Sequence, residues 1–205
     1  MLTQIKFPQI NNRHDFKHKM KIIICLSLLI GFFIPINLFA QQPNLYRNKE
    51  HAFRIIFPVG WYLKPVFGPN MVVKAVNRDG DSISVLVRKL PPESKYLSFD
   101  QISDADLYEY IKVIFNEFKQ AFPDAILNKY GVTYLSNKKA IWYSTTYSMK
   151  HVTGTFTISA LQVMTINRNK VFIVGAGCSP EKYNYFYNTF LATISSFIFE
   201  APSWY

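Results

Sequence analysis

From residue 132 to residue 174 the chain reads as strands joined only by tight turns, and this most restricts what it can fold into. Strand patterns fit residues 132–135, 140–150, 154–167 and 170–174, with the connections SNKK at Ser136, MKHVT from Met149 and NRNK at Asn167. Connections this short join antiparallel neighbours, because a parallel pair needs a crossover of a dozen or more residues. The second half is therefore an antiparallel meander. Within it, Ile141, Tyr143, Tyr147 and Met149 share one face, and Trp142, Ser144, Thr146 and Ser148 share the other. In the next strand Phe156 and Ile158 are in phase, whereas Leu161 and Val163 fall on the opposite side. That switch predicts either a bulge or a sheet covered on both faces in places.

The first half adds strands and one helix. In FRIIFPVGW, Phe53, Ile55 and Phe57 line one face of a strand. Pro58 ends it because it cannot donate to a ladder, Gly60 permits the turn, and Trp61 is expected to anchor the corner. Residues 71–77 and 82–90 form a hairpin across Asp79-Gly80, closed by Pro91-Pro92. A helix follows, capped by Ser103 with Asp106 as its partner and stopped by Pro123. Its stripe is Leu107, Ile111, Ile114, Phe115, Phe118 and Phe122. A second helix starts at Ser179-Pro180-Glu181 and carries Tyr183, Phe186, Tyr187, Phe190, Leu191 and Ile194. Strand, hairpin, helix, meander, helix, without alternating parallel units, is an α+β order. It predicts an antiparallel β-sheet of about six strands flanked by helices.

The N-terminus has a different character. Residues 22–40 are uncharged and follow Lys17, Lys19 and Lys21, which is the pattern of a secretory signal peptide over residues 1–40, cleaved after Ala40. A start at Met20 would make a compact signal by itself. Pro35 and Asn37 weaken a permanent membrane span; an uncleaved N-terminal anchor is the alternative, and membrane association is expected only through this segment. Residues 41–50 read as a polar tether, 51–200 as a single domain, and 201–205, with Trp204 and Tyr205, as an apolar tip. The expected location is periplasmic or secreted.

Cysteine usage fits export, and the charge reads as a moderately basic, solvated surface. Lys6, Arg13, Lys17, Lys19 and Lys21 against Asp15 place +4 of the formal +10 in residues 1–40, leaving +6 scattered over the remainder. Nucleic-acid surfaces cluster their cations in a stripe or module, so no nucleic-acid partner is expected. Beyond residue 40 only Cys178 remains, which rules out an intramolecular disulfide there. An apolar fraction of 49% against 18% charged is enough for the domain to be held by its core.

The strand and corner FRIIFPVGW, the long central helix and the ending FLATISSFIF from Phe190 resemble the PsbP-like proteins. These are extrinsic photosystem II subunits and their bacterial relatives, which share a fold with a Ran-binding nuclear import factor. The resemblance spans residues 45–200. It implies an antiparallel sheet flanked by helices and a non-catalytic accessory or binding role. Some photosynthetic members are associated with metal ions, but no residue here matches a ligand motif, so the resemblance assigns no site.

Little else in the sequence carries chemistry. His51 and His151 lack the short spacings of a zinc site, and both are expected to be solvated. NRDGDS, from Asn77, alternates oxygen ligands like a calcium loop, yet Ser82 and Arg88 stand where the loop needs Gly and Glu; a hairpin turn is expected. GAGC, ending at Cys178, precedes a helix start, where a thiol pKa can fall. It is read as a tight strand-to-helix connection with a packed cysteine. No dinucleotide, phosphate or nucleophile-elbow motif is present, so neither a cofactor nor catalysis is expected, and no metal site. The candidate binding residues are Trp142, Ser144 and His151; Pro58, Gly60 and Trp61 form the structural corner. The leading expectation is an exported accessory protein that binds another envelope or secreted protein. A small-molecule or metal-binding protein using the face around Trp142 is the alternative, and a thiol enzyme built on Cys178 the third.

Overall fold

The fold begins with two strands rather than one. The computed structural model describes residues 44–201, apart from residues 67, 69, 95, 96 and 153. The signal segment, Met20, Trp204 and Tyr205 lie outside the described residues. Strand β1, Asn44–Asn48, pairs antiparallel with β2, Phe53–Phe57. The expected polar tether is thus corrected: its central residues are an edge strand. β1 carries little apolar sequence because most of it faces water. Its inward Tyr46 packs on Phe53 and Phe57 at centroid distances of 6.0 and 6.5 Å. The Asn44 side-chain amide donates to the Trp61 carbonyl, which ties β1 to the corner after β2.

At that corner the Trp61 N–H donates to the Pro58 carbonyl at 3.2 Å, with Gly60 at φ +79°. A side chain would strain the backbone there. The chain then enters a larger sheet: β3 (Tyr62–Lys64), β4 (Met71–Val76) and β5 (Ser82–Lys89). Helix α1, Asp104–Ala121, follows. The Ser103 hydroxyl caps it, accepting from the Asp106 N–H at 3.2 Å and donating to the Asp106 carboxylate at 2.6 Å. The meander is β6 (Ile126–Leu135), β7 (Lys138–His151), β8 (Gly154–Asn167) and β9 (Lys170–Cys178). Ser136-Asn137 and Arg168-Asn169 all take positive φ, the geometry of two-residue hairpin turns whose twist matches the strands. Helix α2, Pro180–Ser195, leads to the short β10, Ile198–Phe199.

Among the described residues there are ten strands in two antiparallel sheets, ordered β1-β2-β10 and β3-β4-β5-β9-β8-β7-β6. The expected count of about six falls short because β1, β3 and β10 are short or exposed. A second correction concerns GAGC. Gly175, Ala176 and Gly177 are strand residues paired on one side with β5 and on the other with β8, and Cys178 ends the strand opposite Ser159 of β8. Neighbouring strands on both sides supply the ladder that holds these glycines extended.

The phase switch in β8 is no bulge, since the β7–β8 register runs unbroken from Ala140↔Thr165 to His151↔Gly154. Both faces of the large sheet are covered, each over part of its width. On one face Val85, Leu161, Val163, Phe172 and Val174 pack under α2 and the small sheet, with Phe53, Phe190 and Phe197. Phe53 stacks on Phe197 at 5.0 Å, and Phe172 meets Phe199 edge-on at 4.8 Å. On the other face Ile141, Tyr143, Met164 and Ile166 pack under α1 and Phe99. The α1 stripe is well buried only at Leu107 and Ile111; its later aromatics are half-buried.

Candidate functional site

Helix α1 leaves part of its face of the large sheet bare, and there the central strand has no side chains. Gly175 and Gly177 of β9 lie beside Ser84 and Ser82 of β5, and beside Gln162 and Ala160 of β8. Residues two apart on a strand share a face, so these small groups form one floor. A Cβ at Gly175 would lie 3.7 Å from the Gln162 side chain, so it is open space above the floor, not crowding, that this glycine leaves. Met71, Lys74 and Leu86 rise on one side; Tyr147, Met149 and Phe156 rise on the other. They enclose an open groove of about 650 Å³. Tyr147 is propped from behind by α1, with its ring 5.0 Å from Phe118 and 4.6 Å from Phe122.

One end of the groove is polar. Asn77 braces the Asp79-Gly80 hairpin by accepting from the Asp79 and Asp81 N–H groups, both at 3.0 Å, and by donating to the Asp81 carboxylate at 2.8 Å. The Lys182 ammonium of α2 reaches this turn, 2.8 Å from Asp79 and 3.7 Å from the buried Asp81. The two acidic side chains therefore already hold a cation of the chain's own. Cys178 is buried beside them. Desolvation, with Asp81 adding to it, pushes its thiol up to about 11. At neutral pH it is protonated, despite its place before the N-terminus of α2. Ser179 stands at the cap position there, but its hydroxyl makes no capping bond.

The opposite face carries a second cavity, of about 510 Å³, between β6 and α2. Trp142 lines it. Its indole lies across Gly131 of β6, where a Cβ would come within 2.8 Å of Nε1. Apolar side chains of the core, including Leu161, Val163, Ile194 and Phe197, make its floor.

The three candidate binding residues do not converge. Trp142 borders this cavity. Ser144 shares its face but is buried and lies outside the lining. His151 ends β7, nine residues from Trp142 or about 30 Å along the strand, with its ring 6.2 Å from Phe156. His51 also departs from expectation: it is not solvated but half-buried, with Nδ1 3.0 Å from the Lys170 ammonium. Burial first, and that cation second, lower its pKa, so the imidazole is neutral at pH 7. Pro58, Gly60 and Trp61 form the corner described above, and Trp61 is buried against Phe186 and Phe190 of α2. The groove itself escaped the sequence reading. Its signal was the period-two pair Gly175 and Gly177, which strips one face of a strand rather than making a loop.

Compared by sequence, the chain matches no protein-family model and no curated protein. Compared by structure, it is similar to the cyanobacterial PsbP protein CyanoP of Synechocystis sp. PCC 6803. The TM-score is 0.55 and the identity 20%, over 76% of this chain and 91% of that one. It is also similar to LpqN of Mycobacterium tuberculosis, a protein involved in cell envelope biogenesis. There the TM-score is 0.50 and the identity 12%, over 78% and 91% of the two chains. Among the described residues, no helix is long and apolar enough to cross a membrane. In element order, sheet pairing and likeness to these two structures, the chain has the PsbP-like fold.

Proposed function

We propose that this protein is an extracytoplasmic accessory protein that acts by binding another protein of the envelope or its surroundings, and that the partner seats on the bare sheet face over Gly175 and Gly177. The observation that carries the proposal is the open groove. It is a strip of sheet with backbone for a floor, which neither helix covers, and it continues into apolar groups at the β7–β8 end. There Met149 and Phe156 are 41% and 49% exposed, and Val152 is 95% exposed. Apolar groups left together in water beside a concave surface mark an interaction site. The groove is open-sided, which suits a protein segment.

Export is supported by the uncharged run after Lys17, Lys19 and Lys21. The likeness to LpqN agrees with an envelope role. A binding rather than catalytic role is supported by the state of the nucleophile: a protonated, buried Cys178 cannot attack as a thiolate. The test is affinity capture from the envelope fraction with wild type and Gly175→Val. A partner retained by wild type and lost by a folded Gly175→Val protein supports the reading; equal capture by both removes the groove from it.

A further inference from the structure

We infer that the cavity beside Trp142 is a binding site for an uncharged saccharide. The inference is independent of the partner-binding groove, which lies on the other face of the sheet; it gives a ligand class to the small-molecule alternative raised by the sequence. Three properties of the cavity carry it.

The first is a flat aromatic surface. Trp142 is half-buried and held by its position over Gly131, which has no side chain to lift the ring. The half-buried Tyr187 of α2 lines the same cavity. The negative face of an aromatic ring attracts the polarised C–H groups on the face of a sugar ring, and the contact also buries apolar area.

The second is a rim of neutral hydrogen-bonding groups. Thr133, Asn137 and Ser195 line the cavity beside the aromatic pair. Among the described residues, none of these three side chains is engaged in a hydrogen bond, nor is the Trp142 indole N–H. Ser136, also in the lining, is different: its hydroxyl accepts from the Phe199 N–H at 2.8 Å and is part of the fold. Two hydroxyls, a carboxamide and an indole N–H match the alternating donors and acceptors of a polyol.

The third is charge. The chain carries a formal net charge of +10, yet among the described residues no charged side chain lines this cavity. An anionic ligand would find its counter-charges elsewhere on the surface. At about 510 Å³ the cavity falls within the range of small-ligand pockets. Its apolar floor alone would suit a lipid chain, but the neutral polar rim would then lose water without replacement, which costs binding energy.

The test is calorimetric titration of the purified protein with maltose, cellobiose and chitobiose, beside glucuronate as a charged comparator and octanol as an apolar one. Neutral saccharide binding is expected. Three variants are chosen to keep the fold. Asn137→Gly suits a residue at φ +63°, Thr133→Val preserves shape, and Ser195→Ala lies on the exposed side of α2. Each is expected to weaken binding about threefold to tenfold, the loss of one hydrogen bond. Heat with none of the neutral sugars overturns the inference. So does binding undiminished in all three variants, or octanol or glucuronate binding as tightly as the sugars. A protein partner lost on Gly175→Val with sugar binding intact, or the reverse, separates the two sites.

Discussion

Trp61 shows how far a residue's role can be read from its neighbours in sequence. Pro58 and Gly60 announce a corner in any fold, and the structure places the Trp61 ring edge-on to Phe186 and Phe190 at 6.0 and 6.4 Å. Those partners lie more than a hundred residues away, so no local pattern names them. Removing a ring that is only 6% exposed leaves a cavity between α2 and the corner. Trp61→Ala is expected to cost about 3–5 kcal/mol in denaturant unfolding. At Cys178 the local sequence offers both a helix N-terminus and a packed position, and packing decides. A thiol before a helix N-terminus suggests a lowered pKa, but burial next to Asp81 dominates and raises it to about 11 from 9.0. Between pH 9 and about 11 the unfolded thiol releases its proton while the folded one keeps it, so stability falls as pH rises through that window. The loss attributable to this group is about 2–3 kcal/mol. Chemical denaturation at pH 8 and pH 11 is expected to show a smaller alkaline loss for Cys178→Ala than for wild type. Equal losses would mean that the thiol is not held protonated by the fold.

At the scale of elements, legibility follows punctuation. Helix α1 was readable because Ser103, Asp106 and Pro123 mark its ends, and the hydrogen bonds at Ser103 are present. The hairpins of the meander were readable from their turns, whose positive-φ pairs include Asn137 and Asn169. β1 and β3 were not, because a solvent-exposed strand has no apolar alternation to display. β10 has only two residues. GAGC reads as a connection because glycine usually breaks strands; here two bonded neighbours hold the strand and the missing side chains open the groove. Gly175 has ordinary backbone and room for a Cβ, with nothing nearer than 3.7 Å. Gly175→Val is therefore expected to fold with equal or higher thermal stability, since glycine costs about 0.5–1 kcal/mol relative to alanine in a strand. Gly131→Ala should behave differently, because its Cβ would meet the Trp142 indole at 2.8 Å and the ring must move. A lower melting temperature for Gly131→Ala, but not for Gly175→Val, separates a glycine required by packing from one that leaves open space above the sheet.

For the whole molecule, the α+β order and antiparallel pairing could be read from the sequence because short connections restrict topology. How the helices share the sheet could not. The stripe of α1 declares an apolar face, but nothing local says that it covers the β6–β7 side and the Val171 end of β9 and leaves β5, the Gly175 and Gly177 end of β9 and the far end of β8 bare. The separation of Trp142 from His151, by contrast, follows from the length of β7, which the sequence already displays as a strand over residues 140–150. The PsbP-like fold thus supplies a two-sided sheet with a cavity on one face and an open groove on the other. The most direct measurement is site-specific photo-crosslinking in the native host, with the photoreactive residue at Phe156 on the groove wall and, separately, at Tyr185 on the exposed side of α2. Partner binding at the groove predicts a discrete, light-dependent adduct from position 156 that is absent from position 185 and lost when Gly175→Val is added. Equal adducts from both positions, or an adduct from position 156 unchanged by Gly175→Val, would contradict it.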